Sequence, residues 1–404
     1  MALLSTVMYI GVAILILLFM ITVHELGHYL AGKLLGFKIN EFAIGFGKPI
    51  FKKVNKKTGE VFSVRWLPLG GYCGFAGDEA AAGEGGSRAE ALEREKAAAA
   101  NGEAVPTPKG VDFNKQPPWK RLIVLFAGAF FNFLCAILFA VILLMIVGYN
   151  QSYSITEIKK TSSGADNPNY AFFKEIDTIY GIGLTEESVQ KFTLLRSFSS
   201  VVNKHKESDT LVYHVKFTDG TVGYESYSFK IEKFTRYDEK TKKNVEYPGI
   251  GINTAIIYQP LGLFKAIGYG AWFCLEISWL ILSFLGQLVI GKVRFFGDVG
   301  GPTATIGVMT EMVSASFLNI FQLVPLISVN LALFNLLPIP ALDGARMVFV
   351  GIEWVRGKPI NPEIEGRIHM FGLLFLLAVV VIADIGFWVM GSGGIFSLLC
   401  RFLL

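Results

Sequence analysis

Four long apolar runs divide this chain, each separated from the next by a polar stretch. They cover residues 4–35, 122–148, 317–337 and 368–387. Each approaches or exceeds the roughly 20 residues a helix needs to cross a hydrocarbon core. The pattern predicts an α-helical polytopic membrane protein with about four transmembrane helices. A fifth apolar stretch, 261–291, carries Lys265 and Glu276. Those charges suit an interfacial helix better than a buried one. The stretch is expected to lie on the outer membrane surface, partly embedded at most.

The polar stretches differ among themselves. Residues 36–77 predict a membrane-associated β-hairpin, with a β-branched and aromatic strand at 61–67 and a glycine-punctuated segment from Gly70 to Gly77. Residues 78–112 are rich in Ala, Glu and Gly with no apolar face to bury, and read as a disordered cytoplasmic insertion. The second span, within 113–150, has an interfacial lead-in at Trp119, Lys120 and Arg121. Residues 151–257 alternate apolar and polar positions, notably at 211–217 and 224–231 around an Asp219-Gly220 turn. They predict an inserted extracytoplasmic α+β domain. Outer membrane-associated helices follow at 258–316. The third span is expected within 317–346, a cytoplasmic loop at 347–367, and the fourth span and tail at 368–404.

Lysines 48, 52, 53, 56 and 57 follow the first span, and Arg346, Arg356, Lys358 and Arg367 precede the fourth. The positive-inside rule puts both loops in the cytoplasm. Long domains translocate largely regardless of charge, so 151–257 is expected outside.

Composition sharpens this picture. At 52% hydrophobic and 17% charged residues, an ordinary soluble domain is excluded. A net charge of +4 with no basic stripe gives no support for nucleic acid as a partner. Cys73, Cys135, Cys274 and Cys400 are scattered, form no CxxC pair, and read as packing residues. The first apolar run lacks a basic leader and a clear cleavage site, and is read as a retained span.

The chemistry lies in the first run. His24-Glu25-Leu26-Gly27-His28 is an HExxH motif. On a helix, positions i and i+4 share a face, so both imidazoles can reach one metal ion. Glu25, beside the first ligand, can act as general base toward a water activated by that ion. HExxH occurs by chance on soluble helices, but two His and a Glu inside an apolar span are costly unless functional. A catalytic zinc needs a third protein ligand. Pro338 and Pro340 in Asn335-Leu336-Leu337-Pro338-Ile339-Pro340-Ala341-Leu342-Asp343-Gly344 must unwind the end of the third span. Asp343 can then turn inward as that ligand, or else serve only as a helix cap. Asn132, in the second span, either orients the site's helices or bonds a neighbouring helix. Asp384 and His369 read as structural.

These residues carry a family likeness. HELGHYLAGKLLGFKINEFAIGFGKPI and NLLPIPALDG, with FNKQPPWKR and AGAFFNF between them, resemble the site-2 protease family of intramembrane zinc metalloproteases, in its RseP-type (regulator of sigma-E protease) branch. The resemblance implies Zn2+ held by His24, His28 and Asp343, Glu25 as general base, and Asn335 as a substrate contact. It implies regulated proteolysis of single-span membrane proteins, such as anti-sigma factors or remnant signal peptides, in a bacterial inner membrane. Glu175 to Gly183 also resembles a PDZ segment, with Glu175 and Ile182 replacing its usual Gly and Asn. A helical substrate must unwind before its carbonyls are accessible, and an enzyme edge strand could hold it by strand addition. Residues 61–67 and 70–75 are the candidates, with Gly70, Gly71 and Tyr72 as substrate contacts.

Two other readings compete. A tethered cytosolic zincin would need a third ligand in 36–75, where none has persuasive spacing. A non-enzymatic metal-binding transporter or scaffold would have no use for Glu25. Parity also links site and topology. If 261–291 crossed fully, the third span would arrive from the wrong side, and a bilayer of roughly 30 Å would separate Asp343 from the histidines.

Overall fold

The computed structural model describes residues 2–78, 108–193, 197–202, 209–238, 243–292 and 301–390. Most of the expected insertion (79–107) and the C-terminal tail (391–404) lie outside the described residues. The chain forms two compact units, residues 1–141 with 270–400, and residues 142–269.

The first unit is built on helices. Helix α1 spans Ala2–Leu34 and α2 spans Pro118–Ile146. Both are apolar on all sides, as expected of helices packed by lipid and by each other. Their approach is close: a side chain at Gly27 would meet the Ala127 carbonyl oxygen at 2.5 Å. Phe19 lies beside Phe139, His24 beside Asn132, and His28 beside Val124. The two helices therefore run antiparallel.

Later in the chain come α5 (Leu263–Val289), which begins within the second unit, and then α6 (Pro302–Ala315), α7 (Ile320–Leu336), α8 (Asp343–Arg356) and α9 (Pro362–Met390). The small helices α3 (Tyr170–Phe173) and α4 (Phe198–Val202) belong to the second unit. Ser328 on α7 contacts the Met20 sulfur of α1, and Asp343, past the end of α7, reaches His24. Helix α7 thus advances in the same direction as α1. If these helices cross a bilayer, an even number of crossings separates α2 from α7. By length and composition, four described helices could cross: Val7–Leu34, Pro118–Ile146, Leu263–Val289 and Glu363–Ile385. The expected third span, α7, is the shorter apolar helix at 17 residues, whereas the stretch expected to stay outside forms the longer α5. Asp384, on α9, accepts a bond from the Thr303 amide at the start of α6, a structural capping role.

Two ion pairs hold α8. Arg121 of α2 grips Glu353 with bonds of 2.9 and 2.5 Å. Arg346 pairs with Asp78 and lies over the Phe113 ring. Arg121 is buried, and removing one partner of a buried pair costs about 3–5 kcal/mol.

Strands β1 (Ile39–Val54) and β2 (Val61–Phe75) pair antiparallel with several register shifts. One arm aligns Ile39 with Phe75 and Ile44 with Gly71, and the other aligns Pro49 with Arg65 and Val54 with Val61. Residues 41–44 also run beside 61–64. Residues 61–64 are therefore flanked on both sides. This corrects the expectation that 61–67 offers a free edge; of the two candidates, 70–75 is the outer arm. A buried polar cluster fixes the fold of the hairpin. Glu41 accepts from Ser63 at 2.6 Å, from Arg65 at 2.9 Å and from the Tyr72 hydroxyl at 2.9 Å, and Arg65 also donates to that hydroxyl at 2.7 Å.

The second unit is an α+β domain. Its main sheet has the order β10-β3-β4-β6-β7, with β5 paired to β4, and β8 and β9 form a separate hairpin. The ranges are β3 Tyr149–Ile158, α3 Tyr170–Phe173, β4 Ile176–Gly183, β5 Gln190–Lys191, α4 Phe198–Val202, β6 Leu211–Phe217, β7 Val222–Tyr227, β8 Glu232–Asp238, β9 Lys243–Gly249 and β10 Ile252–Gln259. Phe173, Ile179, Phe192, Leu211 and Tyr213 centre its core. The Asp219-Gly220 turn is present, with Gly220 at φ 91°. The strand expected at 224–231 instead ends at Tyr227. Asn169 takes over there: its side chain accepts from the Lys230 amide and donates to the Lys230 carbonyl, both at 2.8 Å. Those are the groups a longer strand would have paired.

Candidate metal centre

Helix α1 places His24 and His28 one turn apart, and both are buried. Their Nε2 atoms lie 3.1 Å from each other. Asp343 Oδ2 lies 3.0 Å from His24 Nε2 and 3.1 Å from His28 Nε2. These residues form the metal-competent cluster found among the described residues. Ligand atoms about 2.0–2.2 Å from a shared zinc stand roughly 3.3–3.6 Å from one another in a tetrahedral set, and a triangle a few tenths of an ångström tighter fits that ion with little adjustment. The protonation chemistry agrees. His28 Nδ1 donates to the Val124 carbonyl at 2.8 Å, which leaves Nε2 as a lone pair facing the other two ligand atoms. Two imidazole nitrogens and a carboxylate oxygen converging on one point make a favourable setting for a cation.

The local backbone explains how Asp343 arrives. Helix α7 ends at Leu336, and Pro338 and Pro340 keep the chain from continuing it. Ala341 then adopts φ 80°, in the left-handed region. For a residue with a Cβ this costs about 1–2 kcal/mol. Asp343 opens α8, whose N-cap is Leu342. Leu342, not Asp343, is therefore the cap residue, and the Asp343 carboxylate faces the imidazoles. Gly344 permits the tight return, since a Cβ there would meet the Leu337 and Leu336 carbonyl oxygens at 2.3 and 2.4 Å.

Asn132 is fully buried, with its amide nitrogen 3.4 Å from His24 Nδ1. Its Oδ1 has no hydrogen-bond partner. Turning the amide by half a rotation would let that oxygen accept from His24 Nδ1–H, fixing the tautomer that frees Nε2 for a metal.

Glu25 lies on the neighbouring face of α1, against the hairpin. The Cys73 amide hydrogen-bonds to its carboxylate, and a Cβ at Gly71 would sit 3.5 Å from Glu25 Cγ. The outer arm of the hairpin thus passes directly beside the candidate base. Gly70, at φ 125°, packs against the Phe46 ring with no space for a side chain. The Tyr72 side chain is buried and its hydroxyl engaged by Glu41 and Arg65, so any contact it makes with a bound chain would run through its backbone. Asn335 is half-buried near the end of α7.

Sequence reasoning missed Gly128 and the Val124 carbonyl. A backbone carbonyl carries no sequence signal. Gly128 had one, standing one helical turn before Asn132 in an apolar helix. A Cβ there would meet His28 Nε2 at 2.4 Å and His24 Cε1 at 2.7 Å. Gly128→Ala is therefore expected to displace the imidazoles and lower bound zinc by at least tenfold, measured as metal per purified chain. Unchanged zinc content in this variant would contradict the geometry.

A buried His-His-Asp centre on apolar helices, with a carboxylate next to the first histidine, is the arrangement of a membrane metalloprotease. The profile of peptidase family M50, the site-2 protease family, matches residues 12–379, and the chain belongs to that family. It is 27% identical to the regulator of sigma-W protease RasP of Bacillus subtilis, over 89% of this chain and 93% of that protein. It is 28% identical to the zinc metalloprotease RasP of Oceanobacillus iheyensis, over 90% and 95% of the two chains. The zinc metalloprotease RasP of Bacillus licheniformis shares 26% identity over 89% and 93%. The chain is thus an RseP-type metalloprotease with a Zn2+ cofactor and several helices fit for a bilayer.

Proposed function

We propose that this protein is an intramembrane endopeptidase of a bacterial inner membrane that cleaves single-span membrane proteins, with His24, His28 and Asp343 as zinc ligands and Glu25 as general base. The observation that carries this reading is the convergence of three ligand atoms within 3.1 Å, from two buried histidines and a half-buried aspartate, beside helices apolar enough for a bilayer. A bound zinc supplies Lewis acidity and brings the pKa of its water to about 7. Glu25 takes the proton of the attacking water and returns it to the departing amine. The 70–75 arm receives the unwound substrate by strand addition, which sets a peptide bond beside Glu25. Asn335 contacts the substrate near the scissile bond. The substrates in view are anti-sigma factors or remnant signal peptides left by a first cut. The B. subtilis relative, named a regulator of sigma-W protease, favours the former. The reading is tested by co-expressing the protein with a panel of tagged single-span proteins. Fragments cut within or near their membrane segments should appear with the native chain and be absent without it. A panel left intact would count against the substrate class.

Residues 151–257 act in this reading as a size filter. The PDZ likeness of Glu175 to Gly183 falls on β4, inside the sheet. In the chain, the domain of residues 151–257 follows the apolar helix α2 and precedes the apolar helix α5. Deleting it should raise cleavage of precursors that still carry bulky outer domains by about tenfold. Unchanged precursor cleavage by a folded deletion variant would dismiss the filter.

The topology assigned to α5 belongs to the same proposal. With α7 parallel to α1, α5 remains on or within the outer leaflet. Cysteines placed at Lys265 and Lys292 should both react with an impermeant reagent from outside. Labelling of position 292 only from the cytoplasm would reverse the assignment.

A further inference from the structure

His369 has no partner at metal-ligand spacing in the sequence and reads there as structural. In the structure it is buried, and its Nδ1 accepts the Ala341 amide proton at 2.9 Å. Ala341 is the one non-glycine residue at positive φ among the described residues. It lies in the short turn that converts the end of α7 into the start of α8, where Asp343 faces the histidines. Helix α9 is shaped to hold this turn. One turn past His369, Gly372 lies so close to Pro340 that a Cβ there would meet the Pro340 Cβ at 2.2 Å and its carbonyl carbon at 2.8 Å. The Phe349 ring of α8 packs 5.6 Å from the imidazole. Two adjacent positions of α9 thus grip two adjacent residues of the turn, Gly372 by shape and His369 by a hydrogen bond.

The need for that bond follows from the backbone. Two prolines already remove two amide donors from this segment. The Ala341 amide, turned aside by its left-handed conformation, has no acceptor among the helical carbonyls that precede it. A half-buried amide that lost this acceptor would favour a different φ at Ala341. Asp343, two residues on, would then swing away from His24 and His28. The imidazole must accept, so its proton sits on Nε2, toward Glu365 Oε1 at 4.0 Å.

We infer that His369 is a positioning residue for the metal centre: through the Ala341 amide it locks the left-handed turn that aims Asp343 at His24 and His28. This inference rests on the reading of Asp343 as a ligand, and the experiment separates the two. Zinc affinity is measured by chelator competition on the full-length protein in detergent, together with the visible spectrum of the Co2+-substituted form and kcat and KM for a cleaved single-span substrate.

His369→Leu should weaken zinc binding by about tenfold or more, alter the Co2+ bands, and lower kcat with KM little changed. His369→Asn places an oxygen where Nδ1 stood and should recover affinity to within about threefold. His369→Gln, whose oxygen lies where Nε2 stood, should not. Adding Ala341→Gly to His369→Leu should restore part of the affinity, because glycine adopts φ 80° without strain. Native zinc affinity and Co2+ bands in His369→Leu would overturn the inference. So would equal behaviour of the Asn and Gln variants, which decides the matter even where the Leu variant fails to fold. Asp343→Ala is the control. If that variant keeps its zinc, the ligand set itself is wrong; if it loses zinc while the His369 variants keep theirs, only the positioning role fails.

Discussion

Glu25→Gln is expected to lower peptide-bond hydrolysis by about 10²–10⁴-fold or more, the range that a positioned general base contributes, while leaving about one zinc per chain. The substitution keeps the size of the side chain and its hydrogen bond capacity, but a neutral amide cannot accept the proton of an attacking water. Glu25 is outside the His24–His28–Asp343 triangle, so zinc content should be insensitive to it. The contact with the Cys73 amide can persist through the Gln oxygen, so the hairpin should stay in place. The measurement is fragment yield from a tagged single-span substrate, read beside metal content of the same preparation. Substantial residual cleavage would remove Glu25 from the mechanism, and loss of zinc would make it a ligand rather than a base.

Asp343→Ala is expected to be equally severe by a different route. It deletes one corner of the triangle and its only carboxylate, leaving two imidazoles 3.1 Å apart. Loss of a residue that merely supports a ligand typically costs 10–100-fold in metal affinity, and loss of a ligand should exceed that. Zinc per chain should fall well below one, and cleavage should fall with it. Asp343→Asn should be intermediate in metal content, since it keeps an oxygen but not the charge. If Asp343→Ala kept both metal and activity, the third ligand would have to be sought elsewhere.

The parts of this protein that were legible in the sequence are those written in local spacing. Four residues from His24 to His28 suffice to put two imidazoles on one helical face, and the Pro338/Pro340 pair suffices to end α7. Long apolar runs gave the major helices for the same reason. The features that escaped depend on contacts between distant segments. Nothing near residue 61 announces that 41–44 will lie along one flank and 49–54 along the other, so the interior strand was taken for a possible edge. The end of β7 was set by Asn169, more than fifty residues away. Gly128 looked like ordinary helix packing until His24 and His28 occupied the space its missing side chain leaves. The choice between α5 and α7 as a crossing turns on length in one case and on the direction of approach to α1 in the other, and hydropathy expresses only the first.

The outer arm of the hairpin has three glycines, Gly70, Gly71 and Gly74, within six residues. A strand so bare offers backbone amides and carbonyls but few side-chain pockets. A chain laid along it would be gripped without being spelled out. Backbone pairing repeats every two residues, roughly 6.8 Å, so a guest could settle in successive registers of nearly equal energy. Each two-residue slip would bring a new peptide bond to the same place beside Glu25. Such an enzyme measures its guest as a ruler does, and its products from one substrate would form a ladder with rungs two residues apart.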